Sequence, residues 1–433
     1  MSRSRYHLIA TWTLVWAPVF AGGLYSAEVR SEAILVRGAT IYNVSPAVAP
    51  SGQLERGDLL IDNGKIAAIG TGLESPPEAQ IIDAAGHSVT LGLFNAATNI
   101  GLVEVEAIAA TVDAATVLPG MTAAFDISDA INLDSVAIPF NRSRGLLTAL
   151  VMPRSTSGLF AGSAALVELA PEARVSRRDV GMVVAFGEQS QLLAGGARAA
   201  ALALLRSHLA DARDYRANRQ AYLRRQRRDY SLSHRDLEAL LPVLEGEQPL
   251  LIAVHRKQDI ITVIDVAERY NLKLVLSGVE EGWRVADRIA AAGIPVIINP
   301  LANLPQSYET LGARLDNAKL LHEAGVKVLL SNYDTANAHL LRLGAGIAVA
   351  NGLPHNVALA AITSAPADVF AGGGKLLAQG SDADIVIWSG DPLEVTSVVI
   401  QVIADGKPLS LASRASRLRD RYYDRWKALP HNQ

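Results

Sequence analysis

The sequence predicts an α/β protein in which a body of alternating strands and helices is inserted into a sheet domain built from both ends of the chain. Three observations predict it. Short apolar runs bounded by turn residues fill residues 33–89, and the same texture returns after Asp382. Between them, strand-like runs alternate with helical stretches rich in Ala, Leu and Arg, the pattern of parallel strands joined by crossover helices. At 433 residues and about 100–200 residues per domain, the chain has room for that body and an appendage. Half of its residues are hydrophobic, 19 % are charged and none is Cys. This excludes a disordered chain, a disulfide-stapled domain and any thiolate metal site. With a net charge of −3 there is no basic excess, so nucleic acid is not an expected partner.

The first 27 residues read as a signal peptide. Arg3 and Arg5 precede an uncharged, largely apolar run from Leu8 that ends in Ala21, Gly22, Gly23, Ser26 and Ala27, the layout of a secreted or periplasmic precursor cleaved at small residues. A single membrane anchor is the alternative, because the run is near the roughly 20 residues of a spanning helix. Pro18 and the Gly22-Gly23 pair favour processing, and no Cys is present to carry a lipid. No stable membrane span is expected after cleavage.

Residues 28–90 form the first part of the sheet domain, with strands at 33–36, 38–44, 58–61, 65–69 and 80–83. Asn63-Gly64 sits between two of them and predicts a tight hairpin, since both turn positions accept positive φ. Residues 91–375 form the barrel, with strands at 92–97, 146–152, 164–169, 249–254, 273–276, 295–299 and 327–330. Within it, residues 206–236 carry nine Arg against four Asp and read as a helical insertion with a solvated face, or as a polyanion contact. Its Tyr215, Tyr222 and Tyr230 are either helix-packing residues or a stacking platform. Residues 376–412 return to the sheet domain through strands at 383–388 and 398–403, with Asp405-Gly406 marking another turn. Residues 413–433 read as a C-terminal helix docked by Tyr422, Tyr423 and Trp426.

Several motifs now point to a family. Asp62-Asn63-Gly64-Lys65-Ile66-Ala67-Ala68-Ile69-Gly70, Ile82-Asp83-Ala84-Ala85-Gly86-His87-Ser88-Val89-Thr90 and Gly92-Leu93 resemble the opening of the amidohydrolase superfamily, in particular its imidazolonepropionase-like branch. Gly380-Ser381-Asp382-Ala383-Asp384-Ile385-Val386, Gly390-Asp391-Pro392-Leu393 and Asp405-Gly406-Lys407 resemble its C-terminal return. The resemblance brackets the chain past residue 27 and implies a TIM-like (β/α)8 metal-dependent-hydrolase barrel with a β-sandwich domain. It also implies one or two divalent metals at the C-terminal ends of the strands, where side chains from several strands converge and a bound metal activates water and polarises a carbonyl.

Carried over position by position, the implied ligand set is sparse. Nine histidines occur, and no two are spaced i, i+2 or i, i+4. Where the family's first strand has His-x-His, this chain has Ala97 and Asn99; strand 5 ends in His255; strand 6 puts Ser277 at the ligand position; strand 8 places Tyr333 in frame and Asp334 one residue late. No strand-4 Lys or Glu is identified after the apolar run 182–185, although Glu188 follows closely. The resemblance thus implies His255 as the metal ligand that remains, Asp334 as the catalytic acid, and Asn99, Ser277 and Tyr333 as substrate contacts. Glu104, Glu106 and Asp113, just past strand 1, are either oxygen ligands for a hard cation or one polar face of a loop. The Gly-rich run 157–164 is a substrate-side loop or a structural turn, and no nucleotide loop or Gly-x-Ser-x-Gly elbow is present.

Two functions follow from the resemblance. One is a hydrolase acting on non-peptide carbon–nitrogen bonds, such as those of cyclic amides or N-acyl amino acid derivatives. The other is a catalytically inactive homologue that serves as a periplasmic small-molecule-binding or interaction protein. An active enzyme implies zinc or another divalent metal, and a silent one implies none. A small-molecule substrate or ligand is the expected partner, in a chain whose family often forms homo-oligomers.

Overall fold

The computed structural model describes residues 33–302, 304–373 and 375–428. The expected signal peptide lies outside the described residues. Among those described, no helix is long and apolar enough to cross a membrane.

Five strands open the fold: β1 (Ile34–Tyr42), β2 (Gln53–Asp62), β3 (Lys65–Gly70), β4 (Gln80–Asp83) and β5 (Ser88–Leu91). The hairpin between β2 and β3 turns at Asn63 and Gly64, with φ of 50° and 78°, the positive values that an Asn-Gly turn supplies at little cost. The barrel follows with β6 (Leu93–Thr98), β7 (Leu146–Val151), β8 (Phe160–Glu168), β9 (Arg174–Ala185), β10 (Leu250–Val254), β11 (Leu274–Gly278), β12 (Val296–Ile298) and β13 (Val328–Leu330). The chain then returns through β14 (Ile385–Trp388), β15 (Val399–Ala404) and β16 (Lys407–Leu409) to complete a separate sheet of order β16-β15-β14-β5-β1-β2-β3, with β4 paired to β1. This is the division into barrel and sheet domain that the sequence predicts.

The helices are α1 (Ala137–Arg142), α2 (Glu188–Leu193), α3 (Arg198–Leu223), α4 (His234–Ala239), α5 (Leu241–Leu244), α6 (Lys257–Tyr270), α7 (Ala286–Ala291), α8 (Asn317–Glu323), α9 (Leu341–Ala350), α10 (His355–Ala361), α11 (Ser364–Phe370) and α12 (Arg414–Lys427). The basic insertion is only partly helical, since α3 stops at Leu223 and Arg225 takes a φ of 58°. Part of its charge is matched internally, by Arg227–Asp214 at 2.6 Å and Arg228–Asp211 at 2.5 Å. Its tyrosines pack on one another, with Tyr215 fully buried and Tyr222 stacked on Tyr230 at 4.9 Å. The C-terminal helix forms, but no residue of it is buried. Tyr422 and Tyr423 are instead covered by Arg425 and Lys427 of the same helix, so these two tyrosines do not dock it.

The barrel sheet runs from β6 through β13 in sequence order. Ser331, just past β13, closes the ring by donating to Ala97 O at 2.8 Å and lying 2.7 Å from Asn95 Oδ1 on β6. Alternation predicts parallel strands throughout, yet β8 is antiparallel to both neighbours. Its connections, residues 152–159 and 169–173, are too short for the dozen or so residues that a parallel crossover needs.

Inside the barrel, Phe94, Leu150, Val183, Leu251, Val275 and Leu329 pack with Ile297, and Phe370 of α11 joins them. At β14 the separate sheet is buried on both faces, as strand alternation allows. Ile385 and Ile387 enter its own core, whereas Val386 and Trp388 enter the core shared with the barrel helices. Trp388 is fully buried and its Nε1 donates to Thr90 Oγ1 at 2.9 Å. Trp388→Ala is therefore expected to cost about 4 kcal/mol, measured by equilibrium urea unfolding.

Candidate functional site

Strand alternation decides which side chains reach the mouth of the barrel. Leu251, Val275 and Leu329 point inward, so residues two or four further along the same strands do so as well. Those positions are His255 after β10, Ser277 on β11, and Ser331 and Tyr333 after β13. Asp334 falls out of that register.

Ser277 and Tyr333 meet. The Tyr333 hydroxyl lies 2.8 Å from Ser277 Oγ, donates to Ile297 O at 3.0 Å and accepts from Gly278 N at 3.3 Å. Tyr333 adopts the left-handed φ of 53°, and Ser331 Oγ accepts from its backbone N–H at 3.0 Å. Although 38 % of the residue is exposed, its hydroxyl end is enclosed, and this burial raises the phenol above its ordinary value.

On the far side of Tyr333, His255 sits among carboxylates. Its Nδ1 is hydrogen-bonded to Glu280, and its Nε2 lies 3.7 Å from Glu309 Oε1. Glu309 is held by the Glu188 backbone N–H at 2.8 Å, while its own N–H donates to Glu188 Oε1 at 3.1 Å. Glycine is required at 278, where φ is 86° and a Cβ would come within 2.5 Å of the His255 ring. Burial works against the charged ring, but the bond to Glu280 and the charges of Glu280, Glu309 and Glu188 hold His255 above the ordinary histidine value.

Asn99 belongs to a different network. Its Nδ2 donates to Met152 O at 2.6 Å, and its Oδ1 accepts from Arg154 Nε at 2.9 Å. Arg154 in turn grips Glu106 with both terminal nitrogens. Glu104 accepts from Asn132 Nδ2 at 3.0 Å. Asp334 caps a turn, accepting from Asn337 N at 2.6 Å, while Thr98 Oγ1 donates to its carbonyl at 2.7 Å. Asp334, Tyr333, Glu104, Glu106 and Arg154 line a cavity of about 630 Å³ at the mouth, walled on one side by Arg414 and Leu418 of α12.

The structure thus gathers Ser277 with Tyr333, and places Asp334, Tyr333, Glu104 and Glu106 around one cavity. It does not bring His255 to that cavity. Among the described residues, no three His, Asp or Glu side chains are grouped as a metal site. Sequence reasoning missed Glu280 and Glu309 as partners of His255. Glu280 follows the strand-6 position by three residues, a signal that was available, but Glu309 comes from a loop with no motif.

Two outcomes follow. The raised His255 value means its protonated ring stabilises the fold fully below the unfolded value of about 6.5, a contribution lost as pH rises through the folded value. An NMR titration of His255 is expected to give a midpoint above about 6.5 that falls in Glu280→Gln. Tyr333→Phe strands Ser277 and is expected to cost about 1–2 kcal/mol, read from urea unfolding.

No family model matches the chain. It is 23 % identical over 423 residues, 86 % of this chain and 42 % of the relative, to Amidohydrolase tasK of Hapsidospora irregularis. A Dihydroorotase of Mycobacterium tuberculosis is 37 % identical over 99 residues, 22 % of this chain and 21 % of that protein. The chain spans less than half the length of these curated relatives. Among solved structures, an amidohydrolase from Thermotoga maritima superposes with a TM-score of 0.76 at 23 % identity, covering 87 % of this chain and 99 % of the other. With a nearly closed barrel, a separate sheet formed from both ends of the chain, and a sequence relative that matches across most of this chain, the protein has the fold of the amidohydrolases and is similar to them in sequence.

Proposed function

We propose that the protein hydrolyses a non-peptide carbon–nitrogen bond in a small substrate, such as a cyclic amide or an N-acyl amino acid derivative, bound in the cavity at the barrel mouth. The observation that carries this reading is that cavity: about 630 Å³, lined by Asp334 and Arg414, at the end of the strands where barrel enzymes of this architecture place their chemistry. Asp334 is the general base, positioned by the Asn337 N–H and the Thr98 contact to its carbonyl. Arg414 is the cation that receives a substrate carboxylate or a developing oxyanion.

The metal that the superfamily implies does not suit the donors here. Ala97 has no donor atom, the Asn99 oxygen already accepts from a guanidinium, and the Ser277 and Tyr333 oxygens are bonded to one another. His255, with Nδ1 held by Glu280 and Nε2 3.7 Å from Glu309, is a single imidazole where the superfamily's site has several. A catalytic zinc takes about three protein ligands and a water, so no step is routed through a metal.

A second reading, a binding protein without turnover, is favoured by this same saturation of the strand-end donors. The discriminating experiment is turnover of a panel of N-acyl amino acids and hydantoins by chelator-washed protein. The hydrolase reading expects turnover that chelation leaves unchanged and that Asp334→Asn lowers by about 100-fold or more. Turnover that is lost on chelation and restored by zinc overturns the metal-free route. Saturable binding without turnover establishes the second reading.

A further inference from the structure

A second cavity, of about 450 Å³, lies outside the barrel mouth, where the end of α1, the start of α9, the β14–β15 edge and the first turns of α12 meet. Its charged lining is cationic: Arg144, Arg342 and Arg419, with no carboxylate among the lining residues. Buried or half-buried charges are normally paired. Arg144 and Arg342 are both partly buried, and neither has a carboxylate partner among the described residues. Arg342 donates instead to three backbone carbonyls, those of Pro392, Glu394 and Ser397, at 2.8–3.0 Å. Arg144 donates to Phe140 O at 2.9 Å and to Ser143 Oγ at 3.2 Å, and lies over the Phe140 ring at 3.7 Å. Both guanidiniums keep N–H groups that none of these bonds uses.

His339 is an independent pointer to a ligand. Only 6 % of it is exposed, it lines this cavity, and its Nε2 has no hydrogen-bond partner among the described residues. The Asn141 side chain sets the tautomer. Its Nδ2 donates to Ala137 O at 2.8 Å and Ala336 O at 3.0 Å, which turns Oδ1 towards His339 Nδ1 at 2.8 Å. Nδ1 therefore carries the proton and Nε2 stands bare. Burial, reinforced by the charges of Arg144 and Arg342, lowers His339 to about 4. An anion at the two arginines offsets their charge and favours a protonated Nε2 that donates to it. At 14 residues α12 is long enough to add its own N-terminal polarity, and Ser413 and Ser416 of its capping box line the cavity.

We propose that this cavity binds a small organic oxyanion, a phosphate or carboxylate on a short apolar group, with Arg144 and Arg342 as its charge partners and His339 Nε2 as a hydrogen-bond partner. Val398, Val399 and Leu411 of the lining take the apolar group. The site is separate from the mouth cavity and does not depend on the reaction carried out there.

The test is calorimetric titration of the full chain with inorganic phosphate, phenyl phosphate and benzoate. Phenyl phosphate or benzoate is expected to bind at least about tenfold more tightly than inorganic phosphate, because a phenyl ring buries apolar surface. The stronger of the two aryl probes identifies the headgroup. Arg144→Gln is expected to weaken binding by about tenfold or more. Val398→Asp, at an exposed rim position, introduces a repelling charge without touching the core, and is expected to abolish binding while leaving the melting temperature unchanged. Equal affinity in wild type and both folded variants overturns the proposal, as does the absence of saturable binding of all three probes to the folded wild type.

Discussion

Side chains on a strand alternate between its two faces, and most of what is distinctive about this barrel's mouth depends on that constraint. The packed layer of Leu251, Val275 and Leu329 sets a phase that delivers His255, Ser277 and Tyr333 to the open end. A slip of one residue would send each of them to the helical shell and bring their neighbours in. The chemistry of the mouth is therefore locked to the packing beneath it. Asp334, one residue out of phase, reaches the mouth cavity only because the chain has left the strand and turned.

Tyr333 divides the mouth electrostatically. On one side His255 stands among Glu280, Glu309 and Glu188, a cluster in which a cationic ring offsets several carboxylates. On the other, Arg154 is shared between Asn99 and Glu106. The arginines around His339 form a third neighbourhood with the opposite balance, in which burial and positive charge keep the imidazole neutral. Three charge environments thus sit on one scaffold, and each is set by which residues the strand ends and loops bring within reach.

Much of this was legible in the sequence, for physical reasons that can be named. Asn63-Gly64 demands a turn with positive φ, and the apolar runs of β6, β7, β10, β11, β12 and β13 stand at or within a few residues of their expected places. The direction of β8 was not legible, because period-two alternation carries no information about whether neighbours run parallel. The first half of β9 is polar and exposed, so its periodicity gave no strand signal. Tyr333 fell in frame because only local counting was needed. Glu309 and the cavity around His339 escaped because their residues come from separate segments and meet only through tertiary packing. The C-terminal helix was visible as a helix, but Arg425 and Lys427 cover Tyr422 and Tyr423, so the aromatic spacing of these two did not reveal which residues meet the barrel.

The reversed strand also bears on how the barrel assembles. Parallel neighbours wait for a helix to form and fold back, which raises the entropy cost of their pairing and slows it. The β7–β8–β9 meander has no such delay, because its partners are joined by short connections and find each other locally. The pairings of that stretch therefore close shorter loops than the parallel crossovers that follow it. The separate sheet joins strands from opposite ends of the chain, and its β14–β5 pairing spans nearly 300 residues, so it carries the largest loop-closure entropy of any strand pairing in the fold.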